Sequence, residues 1–517
     1  MNKRFALTIL ATVAITATGF AKTLKSDQIS QKMLKCQQIR TEFKATPEKA
    51  GGIYYAYPYS TDSMAPAPSG YEPFYISHYG RHGSRWVINK KLHRLVADAL
   101  RAEQSQGNLT DTGKEVLDKV EKLGKHTEGH WGELTPLGER QHSGIADRMA
   151  KRFPGLFKGN AKIIARSSTE PRCIISMAAF TEGLQKNNPN LTIERHASPG
   201  DMKFIMRHND ETRMLEKKDA DWRKRFASAK DSLTRSVTTA SRLFTDPGKV
   251  KDLPGLMRYI YDVAIDVQDV DGIDEDILGV FDPEDLYNQW KCSNYQMYVC
   301  HANSPDGTGA GPRSATNLLN DIIDRADEAI AGKRPTAADL RFGHDTALLR
   351  LLALMGAEGA DASVSGFEKA TCVWQKQNLT PMGANLQLIL LRNSAGDILA
   401  APRLNERPLR INGVAEATPG YYRWNDLRRI WKSTCNPVAS LLERVCPGSS
   451  RRFIFEQTDT PDEFFEISAE NGKPVIKGNS AVNIASGLNW YLKYYTGIHL
   501  SWNMMTADLP DVLPLPS

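Results

Sequence analysis

Tyr75-Ile-Ser-His-Tyr-Gly-Arg-His-Gly-Ser-Arg-Trp86 alternates apolar and polar side chains as far as Tyr79 and then breaks at Gly80. Alternation of period two predicts a strand, and the glycine predicts its end. Directly after that end stand Arg81, His82, Gly83 and Arg85. Two guanidinium groups offer planar forks that match phosphate oxygens, a neutral imidazole between them can attack phosphorus, and Gly83 lets the backbone come close. The group reads as an anion site that contains a nucleophile. A surface turn explains an Arg-His-Gly triplet equally well, so other segments have to decide.

Two further strand ends do. Ala161-Lys-Ile-Ile-Ala165 is predicted as a buried strand that delivers Arg166-Ser-Ser-Thr-Glu-Pro-Arg172 ahead of an amphipathic helix through Leu184. In Ala338-Asp-Leu-Arg-Phe-Gly-His-Asp-Thr346 a short strand ends at Gly343, and Thr346 to Met355 reads as an apolar helix stopped by Gly356. His344 and Asp345 stand between them, and a carboxyl there supplies the proton that a departing ester oxygen needs. Ligand sites in doubly wound sheets gather at such strand ends. The fold expected is therefore α/β, a doubly wound sheet with helices on both faces. The strands Ala384 to Arg392 and Ile398 to Leu404 form a closing hairpin. A mostly helical cap is inserted over about 187–335, and substrate selectivity is expected to reside there.

Arg-His-Gly-Ser-Arg, Arg-Ser-Ser-Thr and His-Asp, in this order and each at a strand end, resemble the signatures of the histidine acid phosphatases, the branch that includes phytases and multiple inositol polyphosphate phosphatases. The resemblance implies a phosphomonoesterase in which His82 is phosphorylated and Arg81, Arg85, Arg166 and His344 hold the phosphoryl oxygens. Asp345 then protonates the leaving alcohol and later helps activate water. It implies no cofactor and no metal, because arginines neutralise the charge, and a small phosphomonoester as substrate: phytate, lower inositol phosphates or sugar phosphates. The family usually has a proline where Val87 stands and often an asparagine where Ala347 stands. Animal-type inositol polyphosphate phosphatases more often show His-Ala-Glu, so His344-Asp345 leans toward the acid phosphatases and bacterial phytases.

Other residues near these motifs read more plainly. Arg172 and the run Lys217 to Arg225 are expected to be salt-bridged or solvated, as are Arg207 and His208, and His142 is expected to be structural. Thr135 is a good N-cap with Pro136 at the first helical position. Gly307-Thr-Gly-Ala-Gly-Pro312 has no Lys-Ser/Thr and no strand before it, so it reads as a flexible connection and not as a phosphate loop.

The 517 residues, 41% of them hydrophobic, suffice for more than one domain. Residues 1–21 have the parts of a signal peptide: Lys3 and Arg4, an apolar run from Phe5, then Gly19 and Ala21. A periplasmic or secreted protein follows, with no membrane span. The formal net charge of +6 falls by two with the leader, and no basic block of nucleic-acid type occurs. Export permits disulfides among the seven cysteines, with Cys292 and Cys300 the expected local bridge. No Cys-x-x-Cys or His-Glu-x-x-His motif suggests a metal.

The phosphatase domain is expected over 22–435, its core at about 22–186 and 336–435. Residues 438–517 resemble instead the N-terminal domain of α-N-acetylglucosaminidases, through Arg452-Phe-Ile-Phe-Glu456, Glu463-Phe-Phe-Glu-Ile467, Val475-Ile-Lys-Gly-Asn-Ser480, Ala485-Ser-Gly-Leu-Asn-Trp-Tyr-Leu-Lys-Tyr-Tyr495 and Leu500-Ser-Trp-Asn503. A small α+β module follows, read as an accessory packing domain in preference to a glycan contact. No glycosidase residue is carried over, because the catalytic barrel that follows this module in those enzymes has no counterpart here. The alternatives are a glycan-associated protein and a phosphotransferase similar to phosphoglycerate mutase. Export and the His-Asp pair oppose the latter.

Overall fold

The computed structural model describes residues 36–58, 66–205, 210–273, 275–446, 448–500 and 507–516. The leader, Arg207 and His208 lie outside the described residues. Eight strands form the main sheet: β1 (Glu72–Arg81), β2 (Lys162–Ser167), β3 (Thr192–His196), β4 (Ala338–Gly343), β5 (Asn385–Arg392), β6 (Ile398–Leu404), β7 (Arg407–Pro408) and β8 (Tyr422–Arg423). Their order is β3-β2-β4-β1-β5-β6-β7, with β8 paired to β6. β1 to β4 run parallel, and β5 and β6 are antiparallel to their neighbours. The expected hairpin is thus the antiparallel half of the sheet.

Period-two alternation explains how both faces of this sheet are covered. Tyr75 and Tyr79, with Leu386, Leu388 and Leu390, enter one apolar cluster with the helix Asp345–Met355. Ile76, Ile389 and Leu391 enter another, with the helices Pro136–Arg152 and Pro171–Asn187. β4 is buried along its whole length, and its two charges are paired inside, Asp339 with Arg334 and Arg341 with Asp321. β3 is different. It is an exposed edge strand of polar residues, and for that reason its sequence reads as the start of the helical cap although it extends the sheet.

The cap has its own core. Helices Leu253–Asp266 and Pro283–His301 pack with Leu92–Ser105 and Asp111–Thr127 and with Ile39 and Phe43 of the N-terminal segment. One disulfide, Cys36–Cys372, ties that segment to the catalytic core across 336 residues. Cys292 and Cys300 are both free and buried, contrary to the expected bridge. They lie on one helix, where eight residues separate them by about 12 Å along the axis, beyond the Cα spacing of a disulfide.

Gly307 to Pro312 is not a loose connection either. A Cβ on Gly307 would lie 2.0 Å from the Val299 carbonyl oxygen, and one on Gly311 would lie 2.9 Å from the His301 Cα. These glycines let the segment press against the last turn of Pro283–His301, because no side chain fits there.

At the C-terminus a second sheet, β9 (Ile454–Gln457), β10 (Phe465–Glu470) and β11 (Lys473–Gly478), has β11 in the middle and is covered by the helix Ala481–Tyr495. Phe453, Ile476, Ile484 and Leu488 belong to a cluster separate from the other cores. Among the described residues no helix is long and apolar enough to cross a membrane.

Candidate active site

The parallel order β2-β4-β1 brings three C-terminal strand ends to one edge, with Arg81 opposite Gly343 and Ser167 opposite Phe342. The chain leaves β1 along a pinned path. The His82 amide donates to the Gly343 carbonyl at 2.9 Å, and the His82 carbonyl accepts from the Gly383 amide at 3.0 Å. Ser84 donates from its amide to Gln141 at 2.8 Å and from its hydroxyl to Asp269 at 2.6 Å. Gly83 lies on Gly138, at the start of the helix that Thr135 caps. A Cβ on Gly83 would stand 2.5 Å from the Gly138 carbonyl oxygen, and one on Gly138 would stand 2.3 Å from that of Ser84. Both positions therefore require glycine, and the close approach they permit is loop to helix.

A cavity of about 320 Å³ opens at this edge, and Arg81, His82, Arg85, Arg172, Arg223, Glu216, His301, His344 and Asp345 are among its walls. His82 is buried, and its Nδ1 lies 2.9 Å from the Gly83 carbonyl oxygen. A carbonyl only accepts, so Nδ1 carries the proton and Nε2 keeps its lone pair. Burial, then Arg81, His344, Arg85 and Arg172, hold the His82 pKa well below its ordinary value. The imidazole therefore stays neutral in acid solution, which a nucleophile requires. The His344 ring lies 5.7 Å from it, centre to centre. His344 Nε2 is 3.3 Å from the Ser168 hydroxyl.

Guanidinium groups dominate the charge. Arg81 is held by the carbonyls of Ile53 and Thr380, and Arg85 by the carbonyl of Trp86, by Asp266 at 3.8 Å and by the ring of Tyr54. Among the described residues neither Arg81 Nε nor Arg85 Nε has an acceptor. Buried donors of this kind suit an anion. Asp345 opens the helix Asp345–Met355 at the same wall. Burial alone would raise its carboxyl, but Arg81, His344, His301 and Arg85 outweigh burial and hold it below its ordinary value.

His82, Asp345, Arg81, Arg85 and His344 thus come together as the sequence led us to expect, and Arg166 does not. Its guanidinium lies 3.6 Å from Asp321 and 3.8 Å from Asp201, with the ring of Phe204 beneath it. Its strand neighbour Arg341 shares Asp321. Side chains alternate along a strand, and Arg166 takes the side that faces the helix Thr316–Ile330, away from the cavity. Arg172 is salt-bridged to Glu170 as expected, but it is also 6% exposed and stands in the cavity wall. Hence Arg172→Ala should lower kcat/KM for a phosphomonoester by about 10²- to 10³-fold, the loss typical of one preorganised charge contact. Arg166→Ala should cost about 1 kcal/mol of stability with little change in kcat/KM. Steady-state kinetics and thermal unfolding of the two variants check this, and the reverse ranking would return the role to Arg166.

Several site residues were not singled out from the sequence. Asp266 and Asp269, behind Arg85 and Ser84, are a buried carboxyl pair. Burial pushes Asp266 up to about 7 against the pull of Arg85, and burial, then Asp266, pushes Asp269 well above its ordinary value. Glu216 and His301 come from the cap, and Arg223 comes from the charged run read as solvated. No local pattern marks any of them. His142 is structural, packed on Phe342 and Phe180, and burial lowers it to about 4.

Residues 80–399 match the family described as the histidine phosphatase superfamily (branch 2), and residues 436–515 match the α-N-acetylglucosaminidase N-terminal domain. Multiple inositol polyphosphate phosphatase 1 of Gallus gallus is 25% identical over 408 residues, 72% of this chain and 84% of that protein. Solved structures share the fold, two of them as follows. One is a Bifidobacterium longum multiple inositol polyphosphate phosphatase complexed with inositol hexasulfate (TM-score 0.62, 18% identity, covering 74% of this chain and 97% of that one). The other is the phytase from D. castellii (TM-score 0.55, 14% identity, 75% and 84%). Because the branch 2 match spans more than half of the sequence and takes in the strand ends around the cavity, the chain belongs to the histidine phosphatase superfamily, as a histidine acid phosphatase with an added C-terminal module.

Proposed function

We propose that the protein is an exported phosphatase that hydrolyses inositol phosphates through a phosphohistidine on His82. The observation that carries this reading is the orientation of His82, whose Nδ1 is bound to the Gly83 carbonyl so that Nε2 is the attacking atom, in a cavity walled by Arg81, Arg85 and Arg172. Phosphoryl transfer spreads charge over three equatorial oxygens, and fixed guanidinium donors stabilise that charge without rearranging. His82 Nε2 attacks in line, the P–O bond to the alcohol breaks, and Asp345 gives its proton to the departing oxygen. The resulting carboxylate takes a proton from water as water attacks the phosphohistidine, which releases phosphate and restores both groups.

Four arginines face two carboxylates, Glu216 and Asp345, in the same wall. With Asp345 protonated for the first step, three positive charges remain in this wall against about −2 on one phosphate, which favours a substrate with a further anionic group. The names of the similar proteins point the same way. Export is supported by the signal-like leader and by the Cys36–Cys372 disulfide, since such bonds persist in oxidising compartments. Among the described residues, none from 436 onward lines the cavity, which supports an accessory role for the C-terminal module.

Phosphate release from inositol hexakisphosphate, lower inositol phosphates, glucose 1-phosphate and p-nitrophenyl phosphate tests the reading. Each further charged hydrogen bond contributes about 1.5–3 kcal/mol, so kcat/KM for the inositol polyphosphates should exceed that for the sugar monophosphate by about tenfold or more. Equal values would remove the inositol preference, and release from none of the four would remove the activity.

A further inference from the structure

His301 ends the cap helix Pro283–His301 and is buried at 4% exposure in the cavity wall that also holds Asp345 and Glu216. A short relay fixes its ring. Arg350 Nε donates to His301 Nδ1 at 3.1 Å, and Arg350 Nη2 donates to Glu216 Oε1 at 3.1 Å. A guanidinium has no acceptor, so Nδ1 must present its lone pair and the ring proton must sit on Nε2. The glycines of 307–311 seat the same helix end by packing on Val299, Cys300 and His301. A neutral imidazole of fixed tautomer is thus held at the wall where the acid stands.

We propose that His301 is a positioning residue for the acid, its Nε2–H donating a hydrogen bond to the Asp345 carboxylate. This rests on the reading of Asp345 as proton donor. After the proton has left for the alcohol, the carboxylate is held in place by that bond while water attacks the phosphohistidine. Burial is the largest influence on the Asp345 carboxyl and raises it, whereas Arg81, His344 and then His301 lower it. The other ionisable groups in this wall are Arg81, Arg85, Arg172, Arg223, Glu216, Cys300, His82 and His344, with Arg350 bonded to His301; His344 stays in place in every variant compared, so its own titration is common to them all. The arginines keep their charge throughout the acid range, and Glu216→Gln controls for the second carboxylate.

A hydrogen bond to the charged form lowers a carboxyl pKa, so its removal raises it. Because the first step needs Asp345 protonated, the descending limb of the kcat–pH profile on an inositol phosphate should move to higher pH by about one unit in His301→Leu. Turnover of that substrate should fall about tenfold and turnover of p-nitrophenyl phosphate far less. His301→Gln, whose amide nitrogen reaches the place of Nε2, should restore the wild-type limb. His301→Asn, whose amide reaches only to Nδ1, should not, and it takes the place of the leucine variant should that one not fold. In an Asp345→Asn background His301→Leu should add almost nothing. An unmoved limb, with equal losses on both substrates, overturns the proposal and makes His301 structural. If Asp345→Asn itself slows both substrates equally, the acid assignment has failed instead.

Discussion

His82→Ala should abolish turnover, lowering kcat by roughly four orders of magnitude or more, because it removes the imidazole that stands between Arg81 and Arg85. Nε2 of His82 is directed by the bond from Nδ1 to the Gly83 carbonyl, and its neutrality is maintained by burial and the surrounding cations. Of the other two imidazoles among the described wall residues, His344 has its Nε2 at the Ser168 hydroxyl and His301 has its Nδ1 at the Arg350 guanidinium, and neither stands between Arg81 and Arg85. Rapid alkaline quench with labelled substrate should trap a base-stable, acid-labile phosphoenzyme in the wild type and none in the variant. The fold should persist, since the loop is held by backbone bonds from Gly343 and Gly383 and by Ser84, none of which uses the imidazole. Circular dichroism and the unfolding midpoint check that. Near-normal turnover, or a phosphoenzyme that survives the substitution, would place the nucleophile elsewhere.

Asp345→Asn should divide substrates by their leaving groups. An alkoxide departs only as it receives a proton, and loss of a positioned acid costs about 10²- to 10⁴-fold. A p-nitrophenolate needs no such help, so its turnover should fall by about tenfold at most, the remainder reflecting slower hydrolysis of the phosphohistidine. The pH dependence has a definite sign. In the unliganded site Arg81, His344, His301 and Arg85 overcome burial and hold the Asp345 pKa low. A bound phosphate dianion offsets the charge of the arginines and repels the carboxylate, and both effects raise the pKa. The descending limb of kcat, which reports the complex, should therefore lie at higher pH than the corresponding limb of kcat/KM, which reports the free enzyme. Activity on alkyl phosphates should be greatest in acid and fall as the pH rises through that limb. Equal losses on both substrate types, with a pre-steady-state burst showing that phosphoryl transfer limits, would exclude Asp345 as the donor.

Much of the chain was legible from local pattern. Period-two alternation located β1, short apolar segments located β2, β4 and the β5–β6 hairpin, and breaks at Gly80, Gly343 and Gly356 marked ends that the structure keeps within a residue or two. Thr135 caps its helix as expected because a cap needs only its own next three residues. The second sheet and its helix were likewise readable from alternation in the C-terminal module. β3 escaped, since an exposed edge strand has no apolar face to announce it.

By itself the sequence determined which chemical groups stand at strand ends: His82 between two arginines, and Asp345 after His344. Those are properties of neighbours along the chain. Tertiary structure decided which groups share the cavity. Arg166 and Arg172 are six residues apart, and choosing between them required knowing that β2 turns Arg166 toward Asp321, a residue 155 positions away and shared with Arg341. The bridge from Cys36 to Cys372, the carboxyl pair Asp266 and Asp269 behind the loop, and His301 beside the acid are of the same kind. Period and propensity describe the direction of a side chain relative to its own backbone, whereas a buried charge is placed by whichever distant partner compensates its loss of water.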